Sequence, residues 1–262
     1  MGRILFVTVG TSAITNHELW DTNGDLPPDL PQDGNWGELI RGAEAACVKD
    51  MFHNRKVEWK TVAKKVEAVF TPFEEALTDL HRKFWGKTNH HKREHRRRTT
   101  AETISTWLAG AAHRMDGGQL QANEDKVVLV VSRTCIGQMA GRINQALFRE
   151  HLFEGEGERK VVIETVDDLR LEGIHEEAGE AASLSEQMRR IFDGHAGSQC
   201  RTPIFNITGG FKGLIPAITV ICREGGRTML YLHESMDGTV RLRFENGKLQ
   251  EEYESCHVNV EH

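Results

Sequence analysis

Two short segments of the chain combine glycine with hydroxyl or lysine side chains in a way that suits phosphate binding. The first is Gly10-Thr11-Ser12, which directly follows a β-branched run at residues 3–9. Its glycine lets the backbone turn, and its hydroxyls and exposed amides can cradle a phosphate. The same residues also fit an ordinary turn that caps a helix, and both interpretations stay open at this point.

The second segment, residues 208–212, has the sequence Thr-Gly-Gly-Phe-Lys and lies between an apolar run and a helical pattern. Its paired glycines allow close backbone approach, and Lys212 is expected in the first turn of the helix. A cation there opposes the helix dipole by a few tenths to about 1 kcal/mol, so an anion opposite Lys212 would explain its presence. The alternative is a lysine that points into solvent.

A third turn carries Arg133 and Thr134, after the apolar run at residues 126–132. An arginine is permanently charged, and its fork can bind a phosphate or the edge of a base. Arg133 is equally compatible with a surface position.

The elements that must position these turns alternate along the chain. Four short β-branched runs predict buried parallel strands: 3–9, 126–132, 160–165 and 202–207. Helical patterns follow them at 136–150, 176–192 and 211–224. This alternation predicts a Rossmann-like, doubly wound α/β fold with a mainly parallel sheet. A fifth strand is expected at 227–233, and alternating residues around Asn246-Gly247 predict a C-terminal β-hairpin.

The segment between the first two strands is unusually long. We expect a helical insertion at about 20–115, with helices at 36–85 and 99–115, in an otherwise single domain covering 1–262. The insertion leaves the core just after Ser12, so we expect it to cover the pocket. Its basic tract, 87–98, fits a solvated loop or a contact with phosphate.

Composition excludes several classes of protein. The net charge of −6 argues against a general nucleic-acid coat and against a partner of duplex nucleic acid. Five cysteines without a C-x-x-C pair suit a reducing cytoplasm, and the apolar runs are too short for a membrane span. His90, His91 and His95 lie among lysines and arginines that would repel a metal ion, so we expect neither a metal nor a cofactor.

Taken together, the motifs resemble those of the CRISPR-associated Rossmann-fold (CARF) family. They are VGTS at 9–12, NITGGFKG at 206–213 and YLHE at 231–234, and RTTAETI at 98–104 resembles the S-A-E-I segment of the same proteins. The nearest likeness is to standalone CARF proteins that include ring nucleases, which degrade cyclic tetraadenylate made by type III CRISPR complexes. The likeness runs from residue 3 to about 244, while 20–84 matches poorly. The GGFK motif is the most specific part.

The resemblance implies a homodimer with the ligand between its subunits, a ring of four adenylates, or of six, sharing the two-fold axis. It carries the catalytic positions over to Ser12, with Thr11 beside it, and Lys212. The ribose 2′-hydroxyl would attack the adjacent phosphodiester without a metal and leave a 2′,3′-cyclic phosphate. The expected ligand-binding residues are Gly10, Thr11, Ser12, Arg133, Thr134, Thr208, Gly209, Gly210, Phe211 and Lys212.

Other functions share some of these features. A sensor that binds the ring without cleaving it would use the same pocket and signal to a partner. A transcriptional regulator would need a helix-turn-helix pattern, which we do not find. The R-x4–6-H spacing of the family's ribonuclease effectors occurs at Arg190 and His195, but Gly194 between them resembles a helix end.

Overall fold

The computed structural model describes residues 2–15, 64, 71, 74–75, 77–79, 81–82, 85, 100–111, 115, 118–154, 160–166, 183–196, 202–210, 212–232 and 238–255. Nine strands lie in these ranges: β1 (Arg3–Thr8), β2 (Leu120–Gln121), β3 (Lys126–Ser132), β4 (Phe153–Glu154), β5 (Val161–Val166), β6 (Thr202–Asn206), β7 (Thr228–Leu232), β8 (Gly238–Glu245) and β9 (Lys248–Ser255). Five helices accompany them: α1 (Ser12–Thr15), α2 (Ala101–Ala111), α3 (Cys135–His151), α4 (Leu184–Ala196) and α5 (Leu214–Gly225). The described residues between 64 and 85 are helical as well.

The main sheet has seven strands in the order β5-β3-β1-β6-β7-β8-β9. The first five strands are parallel, and β8 and β9 add an antiparallel hairpin at one edge. This confirms the predicted Rossmann-like α/β fold. The short strands β2 and β4, which the sequence did not indicate, form a separate parallel pair.

Helices cover both faces of the sheet. On β1, Leu5 and Val7 join the apolar cluster that includes residues of α1 and α3, whereas Ile4 and Phe6 join the cluster that includes α4 and α5. Alternate residues of a strand point to opposite faces, so β1 is buried on both sides. Strand β1 therefore lies at the centre of the molecule, and the turn after it is held by both layers.

Several boundaries differ from the predictions for local reasons. β5 lies at the sheet edge, and Val162, Ile163 and Glu164 are only partly buried, so it is not the fully buried strand that its β-branched residues suggested. Helix α4 begins at Leu184 and continues through Gly194 to Ala196, so Gly194 does not end the helix. The predicted helix residues 176–182 lie outside the described ranges.

The C-terminal hairpin agrees closely with its sequence signature. Asn246 and Gly247 link β8 to β9 with φ values of 51° and 77°, the left-handed conformation that a two-residue turn of this kind needs at both positions. None of the helices in the described ranges is both long enough and apolar enough to span a lipid bilayer.

Candidate functional site

The two predicted phosphate-binding turns lie next to each other at one edge of the sheet. β1 pairs with β6 in parallel, so residues 9–12 and 207–210 leave the sheet at the carboxyl ends of neighbouring strands. The chain winds from β1 to β3 and β5 on one side, and then crosses to β6 on the other. This reversal is the topological switch point, where open α/β sheets form a crevice for ligands.

Glycines let the two turns interlock. A Cβ on Gly10 would lie 2.9 Å from the backbone nitrogen of Gly210. Gly210 has a φ of +86°, and a Cβ there would lie 2.7 Å from the Cβ of Thr8 and 2.9 Å from its carbonyl carbon. The Thr8 hydroxyl donates a hydrogen bond to the carbonyl oxygen of Gly209. Side chains are therefore excluded at this junction, and the two backbones fix each other's position.

The carboxyl group of Glu102 lies directly beneath this junction. Its Oε1 accepts a hydrogen bond from the Gly10 N–H at 2.6 Å, and a Cβ on Gly209 would lie 1.8 Å from the same oxygen. Glu102 is 0% exposed, and its Oε2 has no hydrogen-bond partner among the described residues. The Gly10 amide is therefore already bonded, and a ligand would have to use other donors of the turn.

Burial sets the ionisation of this carboxyl group. It raises the pKa of Glu102 above its ordinary value, and hydrogen bonds from the backbone N–H groups of Gly10 and of Glu102 itself lower the pKa by less. A buried carboxylate without a cation is costly, so raising the pKa favours the neutral acid.

Asn206 explains why Glu102 reaches the site. It is the last residue of β6, and its fully buried Nδ2 donates to Ser105 Oγ at 2.7 Å and to Thr106 Oγ1 at 2.8 Å. Its Oδ1 accepts from the Thr208 N–H at 3.1 Å. One amide thus ties the first turns of α2 to the strand end from which the second glycine turn departs.

Helix α2 is part of the core, although it lies within the stretch predicted as an insertion. Ile104 and Leu108 are buried, and the helix contacts β6, β7, β8 and α3. Thr100 precedes it, and its hydroxyl accepts from the Thr103 N–H at 3.2 Å, which caps the first turn.

The remaining predicted residues have identifiable positions in this frame. Thr134 caps α3, accepting from the Gly137 N–H at 3.2 Å, and Thr208 Oγ1 accepts from the Leu232 N–H at 3.0 Å. Both hydroxyls therefore hold the turns themselves. Arg133 is exposed at the carboxyl end of β3, the neighbour of β1 on the side away from β6. It lies at the same sheet edge as the two glycine turns.

Lys212 is exposed and lies in the turn before α5, so the expectation of a lysine in the first helical turn was wrong. The turn needs two more residues before the helix begins at Leu214, and Gly213 at the N-cap makes no side-chain capping bond. Of the first three residues of α5, Ile215 already donates its N–H to the carbonyl oxygen of Lys212 at 3.1 Å, and Pro216 has no N–H to donate. Phe211 and the side chain of Ser12 lie outside the described residues; the backbone of Ser12 begins α1.

Part of the predicted insertion is fixed to α1, the helix that Ser12 begins. The Nε2 of His81 lies 2.9 Å from the carbonyl oxygen of Ala13 and donates to it in the tautomer that carries the hydrogen there. Burial lowers the pKa of His81, and the bond to Ala13 raises it by less. Arg142 of α3 pairs with Glu74 at 2.7 Å. The basic tract 87–98 lies outside the described residues.

Comparison with known proteins identifies the family. Residues 104–243 match the model of the CRISPR-associated protein family Cas_APE2256, which is more than half of the 262-residue chain. The chain belongs to this family. No curated protein matches it. The part of this CRISPR-associated protein that matches contains the second glycine turn and Lys212, whereas Gly10, Ser12 and Glu102 precede it.

Two residues of the site were missed in the sequence. Glu102 lies in the segment 98–104 that resembles S-A-E-I, but its burial is not evident from the sequence, because a glutamate in the first turn of a helix normally stabilises the helix from its surface. Asn206 is the first residue of the NITGGFKG motif, and its local sequence alone does not indicate the contact with α2. Two features of the sequence, taken together, could have indicated this contact. One is the polar Asn206 at the end of a predicted strand, and the other is the hydroxyl-rich start of a helix, Glu102-Thr-Ile-Ser105-Thr106.

Proposed function

We propose that this CRISPR-associated protein is a CARF-type ring nuclease, which binds cyclic tetraadenylate between two subunits in the cytoplasm and opens it slowly without a metal. One observation carries the proposal: two interlocked glycine turns, one next to Ser12 and one next to Lys212, meet at the switch point of a Rossmann-like sheet. Membership of a CRISPR-associated family supports an RNA-like second messenger as the ligand.

The exposed donors around the junction suit a phosphate. Lys212 is exposed beside the second turn. Arg133 lies at the same sheet edge and supplies a further positive charge. Two cations at one sheet edge favour an anion, and a ring with two-fold symmetry lets both subunits contribute the same groups.

The reaction needs only groups that the ring, the turns and solvent water supply. The ribose 2′-hydroxyl loses its proton to solvent water as its oxygen bonds to the neighbouring phosphorus, the bond from phosphorus to the 5′-oxygen breaks, and that oxygen takes up a proton from water, which leaves a linear product with a 5′-hydroxyl and a 2′,3′-cyclic phosphate. Lys212 stabilises the additional negative charge on the phosphate oxygens, and Ser12 holds the phosphate in line. Glu102 is fully buried, so it is not available as a general base, and a reaction without acid–base help is slower by roughly a hundredfold or more.

The decisive experiment incubates the purified protein with cyclic tetraadenylate in EDTA and separates the products by chromatography. We expect linear products that end in a 2′,3′-cyclic phosphate, and much less product from Ser12→Ala and Lys212→Ala. Cyclic hexaadenylate in a parallel reaction tests ring size. An intact ring after many hours at high protein concentration would exclude the nuclease.

A homodimer is part of the proposal, because one subunit supplies only half of a two-fold pocket. Light scattering with and without the ring measures the assembly. A monomer under both conditions would contradict the shared pocket.

The second candidate function is a sensor that binds the ring without cleaving it and signals to a partner or regulates transcription. The burial of Glu102 favours this alternative, since the acidic group that the structure places at the junction cannot take a proton from a bound ribose. Tight binding of the ring in a calorimeter, together with no product in the chromatogram, would favour the sensor.

A further inference from the structure

Glu102 is the contact that the two glycine turns share. The Gly10 N–H donates to its Oε1 at 2.6 Å, and a Cβ on Gly10 would lie 3.2 Å from that oxygen. A Cβ on Gly209 would lie 1.8 Å from Oε1, 2.4 Å from Cδ and 2.6 Å from Cγ. The first turn therefore hydrogen-bonds to the carboxyl group, while the backbone of the second packs directly against it.

The position of this side chain is fixed from α2. Glu102 lies in the first turn of the helix, and its carbonyl oxygen accepts from Ser105 Oγ at 3.0 Å and from Thr106 Oγ1 at 2.9 Å. The same two hydroxyls accept from the Asn206 amide at the end of β6. The carboxyl group is thus fixed relative to β6, and Gly10, which follows β1, is fixed relative to the carboxyl group.

If the side chain at position 102 only had to fill space, a carboxyl group would be unfavourable there, because burying it costs desolvation free energy. An apolar side chain would occupy the space without burying polar atoms, whereas Oε2 of Glu102 has no partner among the described residues. Polar groups that stay buried and incompletely bonded call for an explanation beyond packing. The bond to Gly10 is the interaction that an apolar residue could not make.

We propose that Glu102 is a positioning residue that sets the spacing between the turn of Ser12 and the turn of Lys212, so that both residues act on the same phosphate. This inference rests on the proposed function for the identity of the ligand. The linkage between the turns does not depend on that ligand and can be tested without it.

The first test exchanges side-chain volume between positions 102 and 209. Gly209→Ala places a methyl group inside the Glu102 side chain, and we expect its melting temperature to fall by roughly 2–10 °C. Glu102→Ala vacates that space. Gly209→Ala is therefore expected to lower the melting temperature much less in the Glu102→Ala background than in the wild type. Gly210→Ala is the matched control, because its Cβ meets Thr8 and the Val9 backbone and its φ is +86°. Glu102→Ala is not expected to rescue it.

Amide exchange measures the linkage directly. In Glu102→Ala the Gly10 N–H loses its acceptor, and we expect its hydrogen exchange to accelerate by tenfold or more, while amides in the centre of β1 stay protected. Glu102→Gln keeps a carbonyl oxygen at the same place and is expected to restore most of the protection. A residue that merely fills space would not separate these two variants.

The second test measures cleavage of cyclic tetraadenylate. We expect Glu102→Ala to lower kcat by roughly a hundredfold with a smaller change in KM, because a displacement of about 1 Å costs that much, and Glu102→Gln to recover most of the loss. Unchanged exchange at Gly10 in Glu102→Ala, or equal rescue of Gly209→Ala and Gly210→Ala, would overturn the inference. Failure of the wild type to bind or cleave the ring would defeat the proposed function alone, and the volume exchange and amide protection would still decide the role of Glu102.

Discussion

Replacing Glu102 by glutamine should make the stability of the protein less sensitive to pH. Burial holds the pKa of Glu102 above its value in the unfolded chain, which is about 4.3 for a free glutamate side chain. Between these two pKa values the folded protein keeps a proton that the unfolded chain releases. The wild type therefore loses stability as the pH rises through this interval, whereas the neutral amide of Glu102→Gln has no proton to lose.

The size of the effect follows from proton linkage. One retained proton changes the free energy of unfolding by about 1.4 kcal/mol per pH unit. Within the interval, the free energy of unfolding of Glu102→Gln therefore rises relative to that of the wild type by up to this amount for each pH unit. In a chain of this size 1.4 kcal/mol corresponds to a shift of roughly 3–6 °C in melting temperature. The gain begins near pH 4.3 and ends when the pH passes the folded-state pKa.

Urea unfolding of both proteins at pH 5, 6, 7 and 8 gives the required free energies. Glu251→Gln, at an exposed position of β9, controls for the loss of one formal charge. A difference between wild type and Glu102→Gln that stays constant from pH 5 to pH 8 would refute the reasoning, because it would mean that burial does not hold a proton on this carboxyl group.

The remaining predictions concern the ligand side and the insertion. Lys212→Ala should slow ring cleavage by roughly 10²–10³-fold, because it removes a group that stabilises the transition state. Its melting curve should stay nearly unchanged, since Lys212 is exposed. Activity equal to that of the wild type would show that Lys212 has no part in the mechanism. His81→Leu should lose about 1 kcal/mol at pH 7.5, where the bond to Ala13 is intact. The lowered pKa of His81 makes the wild type lose stability below pH about 6.5, so melting curves at pH 5.5 should show a smaller difference or a reversed one. If the insertion covers the pocket, changing the three arginines at 96–98 to glutamine should slow ring cleavage and alter the proteolysis of the ligand-bound protein. An unchanged cleavage rate together with unchanged proteolysis would contradict the lid hypothesis.

The sheet could be predicted because its signals are local. Runs of β-branched residues coincide with β1, β3 and β6 to within one residue, and the Asn246-Gly247 turn has the left-handed conformation that its sequence demands. The alternation of strands and helices predicted a mainly parallel sheet, whereas the order of its strands was not predicted. The errors occur where the structural preference of a short segment competes with the position of that segment in the fold. β5 has the β-branched composition of a central strand but lies at the edge of the sheet. Gly194 has a low helix propensity, yet α4 continues through it.

The site was only half predictable because its parts interact over long distances in the sequence. Gly10 and Glu102 are separated by 92 residues, and their hydrogen bond depends on the position of α2 against the end of β6. No short window of sequence contains that information. The glycines were easier to find, because the two backbones come so close that glycine is required on both turns, and this requirement leaves a mark in each local sequence.

The order of the strands adds a physical reason why the two halves of the site work only together. β1 and β6 are neighbours in the sheet although they are almost 200 residues apart, and each turn owes its shape to the other: Gly210 packs on Thr8, and the Thr8 hydroxyl donates to Gly209. Neither turn can adopt this conformation until β1 has paired with β6, so a fragment that lacks β1 would keep the GGFK sequence without its geometry. The matched region, 104–243, begins after β1 and after Glu102, and therefore carries Lys212 without the residues that fix the turn beside it. The candidate site therefore depends on the pairing of β1 with β6, so its geometry requires that the core of the sheet has folded.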